Sequence, residues 1–334
     1  MKTTDTGRVE TPHDDRSAMN EPESGLERAQ GAPIAASRRH TLLPYWLVGT
    51  LSSLMYIINV VVMFPFFFLL GILKFIIPIP AWQTLCRMIT SKLGTLWVSV
   101  NTMNLHITKR MRWDVTLPDD LRITESYLVI SNHRSWSDIL VLQKVFNRRI
   151  PFLTFFLKKE LIWVPLLGLA WWALDFPFMK RYSEAYLKRH PQKRGKDIEI
   201  TRRACEKFRN IPVSIMNFVE GTRLTPEKHE RQRSPFANLL KPKAGGIAFV
   251  LSTIGQELHK ILNVTIAYPH GNESFWGFVA GKVPAVKVYV EEFAITPEII
   301  GDYANDEQFR ERFQEWVNQL WIEKDRRLSS MLAE

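Results

Sequence analysis

The residues best suited to chemistry in this chain are His133 and Asp138, in the stretch Tyr127-Leu128-Val129-Ile130-Ser131-Asn132-His133-Arg134-Ser135-Trp136-Ser137-Asp138. An imidazole with an ordinary pKa near ~6.5 can accept a proton at neutral pH. A carboxylate about one turn further along can fold back on a ring nitrogen, fix the tautomer and stabilise the imidazolium. His133 is therefore the candidate general base and Asp138 its orienting carboxylate. A lone His-x4-Asp pair proves little, so its setting has to carry the weight. Other chemistries find no pattern to rest on. There is no Gly-x-Ser-x-Gly elbow for a hydrolase serine, and no His-Glu-x-x-His, P-loop or Gly-x-Gly-x-x-Gly for zinc or a nucleotide cofactor.

The elements that must position the pair follow from hydrophobic pattern. Tyr127–Ile130 is a β-branched and aromatic run, which predicts a buried strand releasing His133 at its end. Strand ends are where α/β folds face an open crevice. Further strands are predicted over Met111–Leu117, Ile150–Leu157, Asp175–Met179, Val213–Val219, Val264–Tyr268 and Ala285–Phe293. Helices are predicted over residues 81–110, from about Ile198 to Phe208, over Ile247–Ile254 and from Glu307 onward. Pro165 and Gly168 make Trp163–Leu174 a loop or broken helix. In the C-terminal helix Phe309, Phe313, Trp316, Val317, Leu320 and Trp321 recur at helical spacing, a stripe suited to packing on the sheet. Strands alternating with helices, without internal repeats, predict one α/β domain with a mixed sheet and flanking helices. Besides the His133 strand, three strand ends carry notable residues: Lys180 with Arg181, Glu220 through Arg223, and Pro269.

Composition narrows the partners. The 334-residue chain has a formal net charge of +10, and residues 1–40 hold six Lys/Arg against seven Asp/Glu, so the positive excess lies in the rest. A basic body favours an anionic partner, either nucleic acid or a membrane surface with phosphate-bearing substrates. Twenty Phe and eleven Trp tilt this towards the membrane, and the Lys/Arg are not interleaved with aromatics as a nucleic-acid surface would be. Cys86 and Cys205 stand far apart without metal-ligand spacing, which fits a reducing compartment and no metal site.

Residues 1–40 are too polar to offset ordering entropy and are expected to be a disordered tail. From Leu43 to Ile79 the chain is almost wholly apolar, with Lys74 its single charge. As straight helix it would run about 55 Å, beyond a bilayer core of about 30 Å. Pro65, Gly71, Pro78 and Pro80 are expected to break it. This leaves a membrane-spanning helix around Trp46–Val62 followed by an interfacial piece, or a hairpin embedded in one leaflet, with basic flanks at Arg38, Arg39, Arg87 and Lys92 leaning towards the hairpin. The expected organisation is a tail (1–40), a membrane anchor (41–80) and a catalytic domain (81–334). Residues 180–209 carry eleven Lys/Arg against four Asp/Glu, a solvated face or one that meets anionic headgroups.

The ordered motifs resemble those of the glycerolipid (lysophospholipid) acyltransferase family. Asn132-His133-Arg134-Ser135-x-x-Asp138 looks like its first motif, Phe178-Met179-Lys180-Arg181 its second and Phe218-Val219-Glu220-Gly221-Thr222-Arg223 its third. Lys159-Glu160-Leu161 with Pro165 and Gly168, Lys243-x-Gly245, and Pro269 fall where the family's intervening and fourth motifs belong. The likeness covers roughly residues 90–295 and is most similar to a bacterial inner-membrane branch with an extended C-terminal helix. It implies an O-acyltransferase in which His133 deprotonates an acceptor hydroxyl that attacks an acyl thioester, with Asp138 holding His133. Acceptor contacts would fall to Arg181, Glu220, Gly221, Thr222, Arg223 and Lys243, and Pro269 would shape a pocket. The acceptor implied is most simply 1-acyl-glycerol-3-phosphate, giving phosphatidic acid. The donor is acyl-CoA or acyl carrier protein, with no separate cofactor. Membrane lipids would be the surroundings, and the catalytic domain would lie on the cytoplasmic side. Lys180 stands where the second motif often has Asp, and Val219 where the third often has Pro. Rival readings are a different acceptor, such as glycerol-3-phosphate, or a membrane-anchored binding protein without turnover.

Overall fold

The computed structural model describes residues 43–179, 189, 208, 211–271 and 274–333. These belong to one compact unit, residues 41–334. The expected tail and the expected helix over 198–208 lie outside the described residues, apart from Phe208.

A six-stranded mixed sheet organises the chain. Its strands are β1 (Arg112–Thr116), β2 (Tyr127–Ser131), β3 (Leu153–Phe155), β6 (Ser214–Phe218), β7 (Lys260–Ala267) and β8 (Ala285–Ala294), in the order β1-β8-β7-β2-β6-β3. Two short strands, β4 (Leu157–Lys158) and β5 (Phe178–Met179), pair separately. β7, β2, β6 and β3 run parallel, so their C-terminal ends open on one edge. Only β8 pairs antiparallel with β7, and β1 follows β8 in parallel.

The burial of β2 shows why its sequence is a continuous apolar run. Tyr127 and Val129 join the core on one face of the sheet, Leu128 and Ile130 the core on the other. Both faces are covered, as parallel strands require. The first face carries α1 (Tyr45–Ile76), α2 (Pro80–Thr108), α3 (Ser137–Phe146) and α4 (Leu167–Ala173). The second carries α6 (Gly245–Ile254) and α8 (Glu307–Ala333), whose predicted stripe is buried at Phe309, Phe313, Val317, Leu320 and Trp321. Two short helices, α5 (Pro226–Gln232) and α7 (Phe275–Val279), lie in stretches where the sequence analysis predicts no helix.

The N-terminal apolar run differs from expectation. Pro65 and Gly71 do not break it, and α1 continues through both for 32 residues, about 48 Å of helix. An interior proline costs about 3 kcal/mol or more, but here the turns around it pack against neighbours that fix their course. Residues 77–79 turn the chain into α2, so the two helices form a hairpin, and the expected boundary at residue 80 falls at its bend. Polar side chains stitch the seam. Asn59 Nδ2 donates to Asn101 Oδ1 at 2.8 Å and to the Trp97 carbonyl at 3.0 Å, and Asn104 Nδ2 donates to the Ser52 carbonyl at 2.9 Å.

α1 is also fastened to the sheet domain near both ends. Gly49 lies so close to Trp276 of α7 that a Cβ there would sit 2.9 Å from the indole, and Gly71 approaches Ala173 of α4 equally closely. Lys74 Nζ donates to Asp175 Oδ2 at 2.6 Å and to the Ala173 carbonyl at 2.7 Å, and Arg87 of α2 reaches the same Asp175 oxygen at 3.2 Å. The single charge of the apolar run is thus a buried tie to the domain. The outward face of α1 stays apolar, with Trp46, Ile57, Ile58, Phe66, Leu69 and Phe75 exposed.

Candidate active site

Three parallel strands deliver the site at their C-terminal ends, and β2 supplies its centre. Past Ser131 the chain leaves the sheet, and Asn132 takes the place of a strand residue. Its side chain accepts from the Ile266 N–H at 2.9 Å and donates to the Ile266 carbonyl at 3.0 Å, prolonging the β2–β7 pairing by one step. The next residue is His133.

The His133 backbone is held from both sides. Its N–H donates to Glu220 Oε1 at 2.9 Å and its carbonyl accepts from Leu224 N–H at 2.8 Å. The ring stacks on Phe218 at the end of β6, with centroids 3.8 Å apart and planes within 12°. Nδ1 lies 2.8 Å from Asp138 Oδ2. A carboxylate only accepts, so Nδ1 carries the proton and Nε2 keeps its lone pair. Among the described residues no protein group bonds Nε2. Only 8% of the residue is exposed, which leaves one ring edge for a reactant.

Asp138 opens α3 and is fully buried. Besides His133, its Oδ2 accepts from the N–H groups of Arg134 at 2.6 Å and Ser135 at 2.8 Å, and its Oδ1 accepts from Tyr268 Oη at 2.7 Å. The carboxylate folds back over the loop that separates it from the histidine, and this fixes the five-residue spacing. Such saturation keeps the charge and the direction of the carboxylate in place.

Glu220 is the residue whose place differs most from its sequence-based role. It is fully buried, with Oε1 taken by the His133 N–H and Oε2 by the Leu240 N–H at 3.0 Å. Burial pushes its carboxyl up to about 7, against those two donors, which pull it down. A carboxylate spent in this way holds His133 and the loop before Lys243; direct acceptor contact, as the resemblance implies, is not what its geometry serves.

Gly221, Thr222, Arg223 and Lys243 form the neighbouring rim. Gly221 adopts φ +68°, where a side chain would be strained, and a Cβ there would meet Lys243 Cδ at 3.2 Å. The Lys243 N–H donates to the Val219 carbonyl at 2.8 Å while its side chain is exposed. Lys228 of α5 donates to Thr222 Oγ1 at 2.8 Å and to the Arg223 carbonyl at 3.0 Å. The Arg223 guanidinium lies over the Trp136 ring, 4.7 Å from its centroid, which ties the third motif to the first. Pro269 directly follows Tyr268 at the end of β7 and is half-buried. Arg181 and Lys180 lie outside the described residues. His133, Asp138, Glu220, Gly221, Thr222, Arg223, Lys243 and Pro269 thus gather at one edge.

Sequence reasoning missed Tyr268 and gave Phe218 and Trp136 no role. Tyr268 is separated from Asp138 by 130 residues, and only its place beside Pro269 could have flagged it. Among the described residues no three His, Cys, Asp or Glu side chains gather as a metal site would need.

Comparison with known proteins now bears on this geometry. The acyltransferase family model matches residues 112–268, which include every site residue above except Pro269. Relatives include 1-acyl-sn-glycerol-3-phosphate acyltransferase 3 of Arabidopsis thaliana, 29% identical over 163 residues, 45% of this chain and 40% of that protein. The gamma form from Mus musculus is 27% identical over 177 residues, 50% of this chain and 43% of its own. Over this stretch the chain is similar to glycerolipid acyltransferases. An uncharacterized acyltransferase of Schizosaccharomyces pombe is 22% identical over 230 residues, 62% of this chain and 60% of the relative. The chain therefore spans between 40% and 60% of the length of these relatives. The crystal structure of the 1-acyl-sn-glycerophosphate acyltransferase from Thermotoga maritima superposes with a TM-score of 0.51 at 16% identity, covering 87% of this chain and 99% of that one. At that identity the likeness concerns the fold.

Proposed function

We propose that this protein transfers a fatty acyl group from a thioester donor to the hydroxyl of a lysophospholipid, most simply 1-acyl-glycerol-3-phosphate, giving phosphatidic acid. The observation that carries the reading is the His133 ring: Nδ1 bound to Asp138, Nε2 open at the sheet edge, and Arg223 and Lys243 on the adjoining rim. In this reaction Nε2 removes the acceptor's hydroxyl proton as its oxygen attacks the thioester carbonyl. The tetrahedral adduct collapses by expelling the thiolate, which takes the proton from the imidazolium and leaves as the thiol. Asp138 stabilises the imidazolium throughout. Arg223 and Lys243 supply cationic donors suited to the acceptor phosphate. Acyl-CoA and acyl carrier protein both offer the required thioester, and the chemistry calls for no further cofactor.

The membrane reading forms part of the same proposal. Among the described residues α1 alone is long and apolar enough to cross a bilayer. Its attachments near Gly49, Asn59, Gly71 and Lys74 lay it along the domain. This supports a hairpin seated in one leaflet by its outward face, with the catalytic edge beside that leaflet. The long C-terminal helix is in keeping with the bacterial inner-membrane branch; a cytoplasmic catalytic domain is part of the same proposal.

The test is an assay of purified protein in mixed micelles with lysophosphatidic acid and labelled acyl-CoA. Wild type should form phosphatidic acid, and His133→Ala should lose roughly 10²- to 10⁴-fold in kcat. Equal rates for the two proteins would overturn the mechanism. Retention on membranes in high salt, with release by detergent, would support the seated hairpin, and extraction by salt alone would remove it.

A further inference from the structure

Asp138 is held by more than a histidine partner needs. Its Oδ2 takes three donors from its own loop, all within five residues. Those contacts all act on one oxygen. The second oxygen is held from elsewhere, and among the described residues its one partner is Tyr268 Oη, which arrives from β7 across the sheet. We propose that Tyr268 is a positioning residue for acyl transfer, with its phenol hydroxyl fixing the Asp138 carboxylate against His133. The inference rests on the reading of His133 as the base, and it adds a residue that acts on the reaction through Asp138 alone.

The surroundings suit this role. Tyr268 is buried, and burial first, then the Asp138 charge, raises its phenol well above the ordinary value of 10. It therefore remains a neutral donor over the whole working range of a histidine base. Pro269 cannot extend the strand, so the chain turns away just past Tyr268. The other charged groups facing this cluster are Arg134, which feels Asp138, Glu220 and Tyr268, and Lys324 of α8, which acts on Glu220 from the far side. All are buried or nearly so.

Removal of the hydroxyl has two separable effects. The carboxylate loses its fixed direction, which lowers the rate. It also keeps more charge for the imidazolium, which strengthens that pairing and shifts the base titration upward. Tyr268→Phe should lower kcat by about tenfold and move the acid limb of the pH–rate profile up by about one pH unit. KM for acceptor and donor should stay within about twofold, because no substrate contact is lost. A readout without turnover follows the same titration: the pH dependence of His133 modification by diethyl pyrocarbonate, quantified by peptide mass spectrometry. An upward shift in both profiles supports the proposal. An unmoved acid limb and unmoved modification profile, with lower thermal stability alone, would show a packing role and overturn it. A shifted modification profile in a protein whose wild type forms no phosphatidic acid would uphold Tyr268 and sink the acyl-transfer reading. Should the Phe variant fail to fold, 3-fluorotyrosine at position 268 decides. A stronger donor should move the modification profile down, and no movement overturns the proposal.

Discussion

The two halves of the catalytic edge are built to opposite standards. On the His133 side, the backbone N–H, carbonyl, ring face and Nδ1 each have a partner, and both oxygens of Asp138 are occupied. On the rim, Thr222 and Arg223 are half-buried, Lys243 is exposed, and the guanidinium is steadied by one indole face. The difference separates two tasks. In the proposed reaction the base must meet a hydroxyl within a few tenths of an ångström, which calls for its freedom to be removed before substrate arrives. A phosphate site can rely on charge over a longer range and adapt as the headgroup settles.

That contrast can be broken, and Glu220 offers the hardest blow. Glu220→Gln leaves one of two buried N–H groups facing an amide NH₂, a loss of about 1–3 kcal/mol. The expected result is a drop of roughly 10- to 100-fold in kcat together with a lower unfolding midpoint, while acceptor KM holds. A rise in acceptor KM alone would place Glu220 among the substrate contacts and erase the division. Arg223→Ala tests the other half with a smaller effect. Acceptor KM should rise about tenfold, with donor KM and the acid limb of the pH profile unmoved. The reverse pattern would move Arg223 to the donor side.

The smallest effect concerns Lys324, which donates to the Val264 carbonyl from α8 and is buried beside the held half. Burial lowers its ammonium to about 7, with Glu220 opposing. The folded state then binds fewer protons than the unfolded chain between about pH 7 and about pH 10.5, so stability from this group rises across that window. Denaturant unfolding of wild type against Lys324→Met should show their stability difference growing towards alkaline pH. A flat difference would mean that Lys324 is not strained by its burial and adds nothing to the stiffness of that half.

Much of this was legible in the residues, and the limits have physical causes. The β2 run and the His133–Asp138 spacing pointed to the contact between these two side chains, because both depend on local pattern. The mixed sheet followed from alternating elements, and the C-terminal stripe found its sheet face. Glu220 was legible in type but not in direction, since a carboxylate at a strand end can face a ligand or two backbone amides. Tyr268 was hidden because its contact spans two strands. Pro65 misled because the propensity cost of a proline is local, whereas the packing that overrides it comes from α2 and α4. The short helices α5 and α7 escaped because five to seven residues give too little periodicity to see.

The long fastening of α1 along the domain sets one further condition on how this protein works. Under the proposed acyl transfer beside a leaflet, an edge held at fixed height meets its acceptor by lateral diffusion in two dimensions. Its rate then follows the mole fraction of lysolipid in the surface rather than the bulk concentration, and inert lipid acts as a diluent. On the same proposal, each product molecule is released into the layer that supplied its precursor.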